Sequence, residues 1–197
     1  MSFLYDDCSL CELKEQNDLA GFSCGDKDLD DFFSNDCIAF ANQLLGKTYY
    51  YSLKSDPATV VCAFTLANAG IRVSDLPNAR RKKIEAHIPH VKALKDYPAV
   101  LVARLGVSSY FRSRHVGSDA LRYIRYWFLE PNNKTGCRYV LVDAYNHADT
   151  LTFYESNGFQ TVFSTEEQEK AYRHIETDVR LNTRLMYYDL MLDVTFR

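Results

Sequence analysis

The chain lacks any apolar run approaching the roughly 18–20 residues that a membrane span needs, so no membrane-embedded role is expected. It also lacks a basic, hydrophobic leader pattern: Asp6 and Asp7 follow close behind Met1, and a cytoplasmic address is the expectation. There is little excess of either charge. A net charge of −3 over 197 residues excludes a protein that holds nucleic acid by its overall field, so any such contact needs a local basic patch. A second close pair of cysteines is missing too. Of the six, at 8, 11, 24, 37, 62 and 137, only Cys8 and Cys11 are closely spaced; one such pair gives a metal two ligands at most, so reduced thiols and no metal site are expected. Nor is a disulfide framework needed, because a chain of this length with 47% hydrophobic residues can bury a full core. No internal repeat, low-complexity tract or linker divides the sequence, and one domain over residues 1–197 is expected.

What is present is most informative between Pro98 and Glu130. The apolar run from Val100 to Val107 reads as a strand, the basic stretch from Arg112 to Ser118 as a turn, and the amphipathic segment after it as a helix. The start of a helix offers unpaired backbone N–H groups and the positive end of the dipole, which suits a phosphate or pyrophosphate. Gly117 lets the backbone approach such a ligand closely, and Ser118 can cap the helix or donate its hydroxyl. Taken alone, this pattern also fits a plain connection. About thirty residues on, Tyr139–Ala144 reads as a buried strand and His147–Asn157 as a helix closed by Gly158 in the left-handed region.

Together these two units resemble the GNAT N-acetyltransferase superfamily. Its acetyl-CoA turn, R/Q-x-x-G-x-G/A, stands here as Arg112-x-x-His115-x-Gly117, with His115 where the family usually has glycine. Its later F-Y-x-x-x-G-F motif is complete as Phe153-Tyr154-Glu155-Ser156-Asn157-Gly158-Phe159. The segment Phe22-Ser23-Cys24-Gly25 with Leu29 and Phe32, and the strand Pro98–Val107, resemble one branch of that superfamily, which includes the tRNA-acetylating toxins of bacterial toxin–antitoxin pairs.

The resemblance implies a mixed α/β fold: a twisted, mostly antiparallel central sheet, splayed in a V between its fourth and fifth strands, with helices on both faces. It implies acetyl-CoA as co-substrate, with no metal, and a primary amine as acceptor. In the toxin branch that acceptor is the α-amine of aminoacyl-tRNA and the partner an antitoxin. A splayed edge at Leu105-Gly106-Val107 would meet the pantetheine amides, and the amides of Arg114, His115, Val116, Gly117 and Ser118 would face the pyrophosphate. Arg112 and Arg114 either add charge there or are solvated turn residues. Phe153 and Asn146 fall at cofactor-contacting positions, although Asn146 also reads as an N-cap. The general-acid tyrosine falls on Tyr154, whose alternative is to pack in the core with Phe153 and Phe159. No residue stands out as general base among Glu85, His87, His90, Asp96, His115 and Asp143.

Read along the chain, a first strand near Cys8–Lys14 precedes a helix from about Asp26 to Leu45, stopped by Gly46, with Leu29, Phe32, Phe33, Cys37, Phe40 and Leu44 on its apolar side. Thr48–Leu53 and Thr59–Ala67 read as strands around Ser55-Asp56-Pro57. The segment Ile71–Tyr97 reads as an insertion carrying the compact basic run Arg80-Arg81-Lys82-Lys83, followed by His87, His90, Lys92 and Lys95. That run is either a solvated helix face or a phosphate-backbone contact. The helix from Ser118 to Glu130 should bury Ala120, Leu121, Ile124 and Phe128; Ser164–Glu167 reads as a capping box, and Arg184–Val194 as a last strand that pairs within the domain or across a homodimer. Acetylation of a small-molecule or protein amine without RNA, or a CoA-binding module without turnover, are the alternatives.

Overall fold

Strand-forming and helix-forming segments alternate much as the hydrophobic pattern requires in the computed structural model, which describes residues 2–89, 94–176 and 178–194. His90 and Lys92 lie outside the described residues. In chain order the elements are α1 (Phe3–Asp6), β1 (Cys8–Glu12), α2 (Lys27–Asp31), α3 (Cys37–Asn42), β2 (Lys47–Leu53), β3 (Val60–Arg72), α4 (Asn78–Glu85), β4 (Asp96–Val107), α5 (Val116–Phe128), β5 (Tyr139–Tyr145), α6 (Ala148–Ser156), β6 (Gln160–Thr161), α7 (Glu166–Arg173), β7 (Thr183–Asp189) and α8 (Met191–Val194). The strands form one seven-stranded sheet in the order β1-β2-β3-β4-β5-β7-β6. The chain divides into two compact units, Met1–Asn68 with Val102–Trp127, and Ala69–Leu101 with Phe128–Arg197, and β3 and β4 are long enough to belong to both.

In the first unit, β1 pairs antiparallel with β2, and β2 with β3, with Thr48 opposite Thr65. Those two buried hydroxyls satisfy each other at 2.8 Å, which removes the cost of placing both inside. The expected single helix after Cys24 forms, but with a defect. Asp26 caps its start, accepting from the Leu29 amide at 3.0 Å, and the stretch Phe32–Asp36 between α2 and α3 is π-helical, with the Cys37 amide reaching back to the Phe32 carbonyl. The widened turn buries both Phe32 and Phe33 in a core with Leu13, Leu19, Phe22, Cys24, Cys37, Val60 and Ala63. The end of this helix corrects the sequence reading. Leu44 is 91% exposed, not on the apolar face, and it takes φ +59° itself, so the left-handed terminator is a leucine. Gly46 is needed for a different reason: a Cβ there would come within 2.7 Å of the Leu66 carbonyl and the Phe40 ring.

In the second unit β5 pairs antiparallel with β7 over its full length, from Tyr139 opposite Asp189 to Tyr145 opposite Thr183, and short β6 extends β7 at the edge. The core gathers Ile71, Val73, Leu76, Ile84, Tyr97, Ala99, Tyr139, Leu141, Val162, Phe163 and Tyr187. Tyr139 is wholly buried, yet its hydroxyl is satisfied by the Ile84 carbonyl at 2.8 Å, which ties α4 to β5. The expected last strand ends early. Asp189 Oδ1 accepts from the Met191 amide at 3.0 Å, and the chain turns into α8 instead of continuing as a strand to Val194. The expected capping box is not formed: Thr165, not Ser164, is the N-cap, accepting from the Gln168 amide, and the Gln168 side chain takes the Ser164 amide at 3.1 Å rather than that of the N-cap itself.

Candidate active site

Two sets of predicted residues lie in the two units, and each is built locally. In the first unit, the turn after β4 is fixed from below. Gly106 is closely packed: a Cβ there would meet Cys24 Cβ and the Phe33 ring at 3.2 Å, so those side chains would have to give way by a few tenths of an ångström. The Ser108 amide bonds the Val61 carbonyl at 2.9 Å, and the Ser109 amide bonds the Ser23 carbonyl at 3.1 Å. The early Phe22–Gly25 segment is thus the floor of the turn. Its own shape is set by Asp30, whose carboxylate takes the Cys24 amide at 2.7 Å, the Gly25 amide at 3.2 Å and the Ser23 hydroxyl at 2.7 Å. Those bonds hold the Asp30 pKa below the usual range against the opposing pull of burial.

The turn itself is strained in two places. Ser113 and His115 take φ +63° and +57°. His115 therefore adopts the left-handed conformation that the resemblance reserves for glycine, at a cost of roughly 1–2 kcal/mol for a residue with a Cβ. The helix starts two residues earlier than expected, at Val116, and Phe128 at its end is only partly buried. Its first intrahelical bond runs from the Asp119 amide to the His115 carbonyl at 2.9 Å. The amides of Val116, Gly117 and Ser118 precede that bond and point out of the helix start, the arrangement an anion requires. The two turn arginines are engaged within the protein: Arg112 donates to the Cys24 carbonyl, and the Arg114 guanidinium lies 4.9 Å from the Phe3 ring centroid and 5.7 Å from that of Phe111.

In the second unit, α6 presents Tyr154. The motif spacing has a mechanical reason. Gly158 takes φ +84°, and any Cβ there would also lie 2.9 Å from the Tyr188 ring, so the chain can reverse tightly only with glycine. The reversal brings buried Phe159 back under the helix, where its ring meets Tyr154 edge-on at 5.6 Å while Phe153 does so at 5.1 Å. The ring is thereby gripped on two sides, as the core-packing alternative supposed, yet no charge or hydrogen bond perturbs the hydroxyl. Burial alone pushes its pKa up to about 12, so it carries its proton throughout the neutral range.

Asn146 is not the N-cap of α6, a position held by His147. Its side-chain amide donates to Glu166 Oε1 at 2.8 Å and to the Leu181 carbonyl at 2.9 Å, and the first of these bonds lowers the Glu166 pKa. The basic run does lie on a helix, α4, but divides by role. Arg80 donates through Nε to the Val162 carbonyl at 2.6 Å and through Nη2 to the Thr161 carbonyl, Arg81 pairs with Glu85 at 3.2 Å, and Lys82 and Lys83 are exposed. Three of the base candidates are ion-paired: Glu85 with Arg81, Asp96 with Arg72 at 3.4 Å and Asp143 with Arg173 at 2.5 Å. His87 and His115 are exposed.

Among the described residues no group of His, Cys, Asp and Glu could hold a metal ion, and no helix is long and apolar enough to cross a membrane. No protein-family profile matches the chain, and no curated protein matches its sequence. Comparison with solved structures shows that the chain shares the fold of KacT and AtaT. A tyrosine-to-phenylalanine mutant of KacT superposes with a TM-score of 0.71 at 16% identity, covering 98% of this chain and 100% of KacT. AtaT complexed with acetyl-methionyl-tRNAfMet gives 0.71 at 18% identity, over 97% of this chain and 100% of AtaT. AtaTR bound with AcCoA gives 0.70 at 17% identity, over 98% and 99%.

Proposed function

We propose that this protein is an N-acetyltransferase that moves acetyl from acetyl-CoA to a primary amine, and that the amine is the α-amine of an aminoacyl-tRNA. The observation that carries the reading is Tyr154: an aromatic ring clamped by Phe153 and Phe159, bearing a hydroxyl that, like any tyrosine's, keeps its proton at neutral pH. Acetyl-CoA supplies a thioester. The amine nitrogen bonds to its carbonyl carbon, the carbon–sulfur bond breaks, and the sulfur leaves with the electron pair. Tyr154 gives that thiolate its proton, the amine loses one to solvent, and the tyrosine is reprotonated from water. An α-amine esterified on RNA has a low pKa and needs little help from a base, which agrees with base candidates that are already ion-paired.

Support for this turn as the seat of the donor's diphosphate is that the amides of Val116, Gly117 and Ser118, which precede the first intrahelical bond, lie at the helix start just beyond the strained pair Ser113 and His115. Leu105, Gly106 and Val107, at the end of β4, are the segment this reading assigns to the pantetheine amides. Support for the RNA acceptor comes from the fold shared with AtaT, which has been solved with an acetylated tRNA, and AtaT has also been solved with the C-terminus of its antitoxin AtaR. Lys82 and Lys83 are the side chains of the basic run exposed to meet a phosphate backbone. A second reading, acetylation of a small or protein amine, is favoured by the engagement of Arg80 and Arg81 inside the protein.

The test is Tyr154→Phe. Turnover is expected to fall by about 10²–10⁴ while the calorimetric affinity for CoA is unchanged. Retained turnover would remove Tyr154 from the acid role, and a wild-type protein that binds no CoA would overturn the acetyltransferase reading.

A further inference from the structure

The segment Ser2–Tyr5 reaches the candidate cofactor turn at three places. Phe3 stacks on Phe111, just before the turn, with centroids 5.6 Å apart and planes 20° apart. The same ring carries the Arg114 guanidinium from the middle of the turn at 4.9 Å. Beyond the turn, Ser2 Oγ donates to Asp119 Oδ2 at 2.5 Å and the Tyr5 hydroxyl to the Asp119 carbonyl at 2.7 Å. Asp119 is 4% exposed and its other oxygen pairs with Arg122 at 2.9 Å, so the carboxylate is fully engaged at the first turn of α5. The segment is in turn fixed to the sheet. Leu4 is fully buried, Lys54 Nζ holds the Asp6 carbonyl at 2.6 Å and the Tyr5 carbonyl at 3.3 Å, and the Lys54 amide bonds the Asp7 carbonyl at 2.9 Å.

These contacts bracket the two strained residues. Ser113 and His115 both hold positive φ without being glycine, and such conformations persist only where their surroundings over-determine them. The floor of the turn fixes its beginning, through Ser108, Ser109 and Arg112. Its middle, at Arg114, and the first turn of α5 just beyond it, at Asp119, are gripped by Ser2–Tyr5. We infer that Ser2–Tyr5 is a positioning strap: it holds Arg114 and the start of α5 so that the amides of Val116–Ser118 stand ready for the diphosphate of acetyl-CoA. The inference rests on the proposed acetyl-CoA reading of that turn. The strap touches no reacting atom. It acts by raising the fraction of molecules whose turn is competent, and apparent affinity scales with that fraction.

Phe3→Ala removes the stack and the seat of Arg114, and Tyr5→Phe removes a single hydrogen bond with little change in packing. CoA affinity by calorimetry, kinetic constants for acetyl-CoA, thermal midpoint and amide exchange over residues 112–118 are measured for wild type and both variants. In Phe3→Ala, the dissociation constant and KM for acetyl-CoA are expected to rise about five- to tenfold with kcat preserved, as a competent fraction reduced to a fifth or a tenth requires. Exchange should quicken over residues 112–118 ahead of the rest of α5, and Tyr5→Phe should move the same quantities in the same direction by about twofold. Unchanged CoA affinity in both variants would overturn the strap. So would a loss of affinity that tracks global unfolding, with exchange quickened evenly through the first unit. Wild-type protein that binds no CoA would instead overturn the reading on which the strap rests.

Discussion

Arg80 and Lys82 stand two residues apart in one basic run, yet only one of them is free to meet a ligand. Arg80 satisfies the Val162 and Thr161 carbonyls, and truncating it strands buried acceptors. Arg80→Ala is therefore expected to cost about 2–3 kcal/mol of stability in urea denaturation. The double change Lys82→Gln, Lys83→Gln should leave stability within about 0.5 kcal/mol and reduce the salt slope of RNA binding by about 2. A double variant with unaltered RNA affinity would detach these lysines from the acceptor. Leu44 makes the opposite kind of case. It pays for a left-handed conformation while 91% exposed, so it gains little from packing in return. Leu44→Gly is expected to stabilise by about 1 kcal/mol and raise the melting midpoint by about 2–4 °C, read by calorimetry. A lowered midpoint would mean that the leucine is packed more than its exposure shows. Nothing in the composition of the run 80–83 distinguishes its members. The distinction comes from the end of β6 and the residue after it, Thr161 and Val162, whose carbonyls Arg80 meets 81 and 82 residues away in sequence.

Helix α7 and strand β7 are joined by a carboxylate that the sequence disguises. Glu166-Glu167-Gln168-Glu169 reads as an acidic segment that would repel RNA if it lay on the same face as the basic run, but Glu169 is fully buried. It pairs with Arg173 at 2.7 Å and Arg184 at 2.8 Å and accepts the Leu185 amide at 2.6 Å, while Arg173 continues to Asp143 on β5. Of the remaining residues, Glu166 is bonded to Asn146 and to the Leu181 amide, which leaves Glu167 as the exposed charge of the four. Glu169→Gln leaves Arg184 without its carboxylate partner and Arg173 with Asp143 alone, and is expected to cost about 3–5 kcal/mol. Glu167→Gln should cost almost nothing, and equal losses in the two variants would refute the buried network. The i, i+4 spacing of Glu169 and Arg173 was visible in the sequence, but which face of the helix would be buried was not. The same limit applies to α2 and α3. Their apolar spacing announces a helix, whereas the π segment at Phe32–Asp36 answers to the packing of Phe32 and Phe33 around Cys24 and depends on contacts distant in sequence.

For the molecule as a whole, the order of elements and the two motif-bearing units were legible because each depends on local chemistry: strand, turn and helix for residues 98–130, and a glycine-closed helix before Phe159. The match to KacT and AtaT over nearly the whole chain at 16–18% identity shows how little sequence that fold requires. Less legible was how the turn is supported, because Phe3, Asp30 and Asp119 act through tertiary contacts that leave no spacing signature. The departure at His115 is the clearest example. Its sequence suggests a turn deprived of left-handed freedom, but the structure takes that conformation anyway and holds it from both sides. The measurement that tests the central claim most directly is thiol release from acetyl-CoA by the purified protein, with and without a pool of charged tRNA. Release that depends on the charged tRNA, and is lost in Tyr154→Phe, is the predicted result; absence of release with the tRNA pool and with free amines alike would contradict the account.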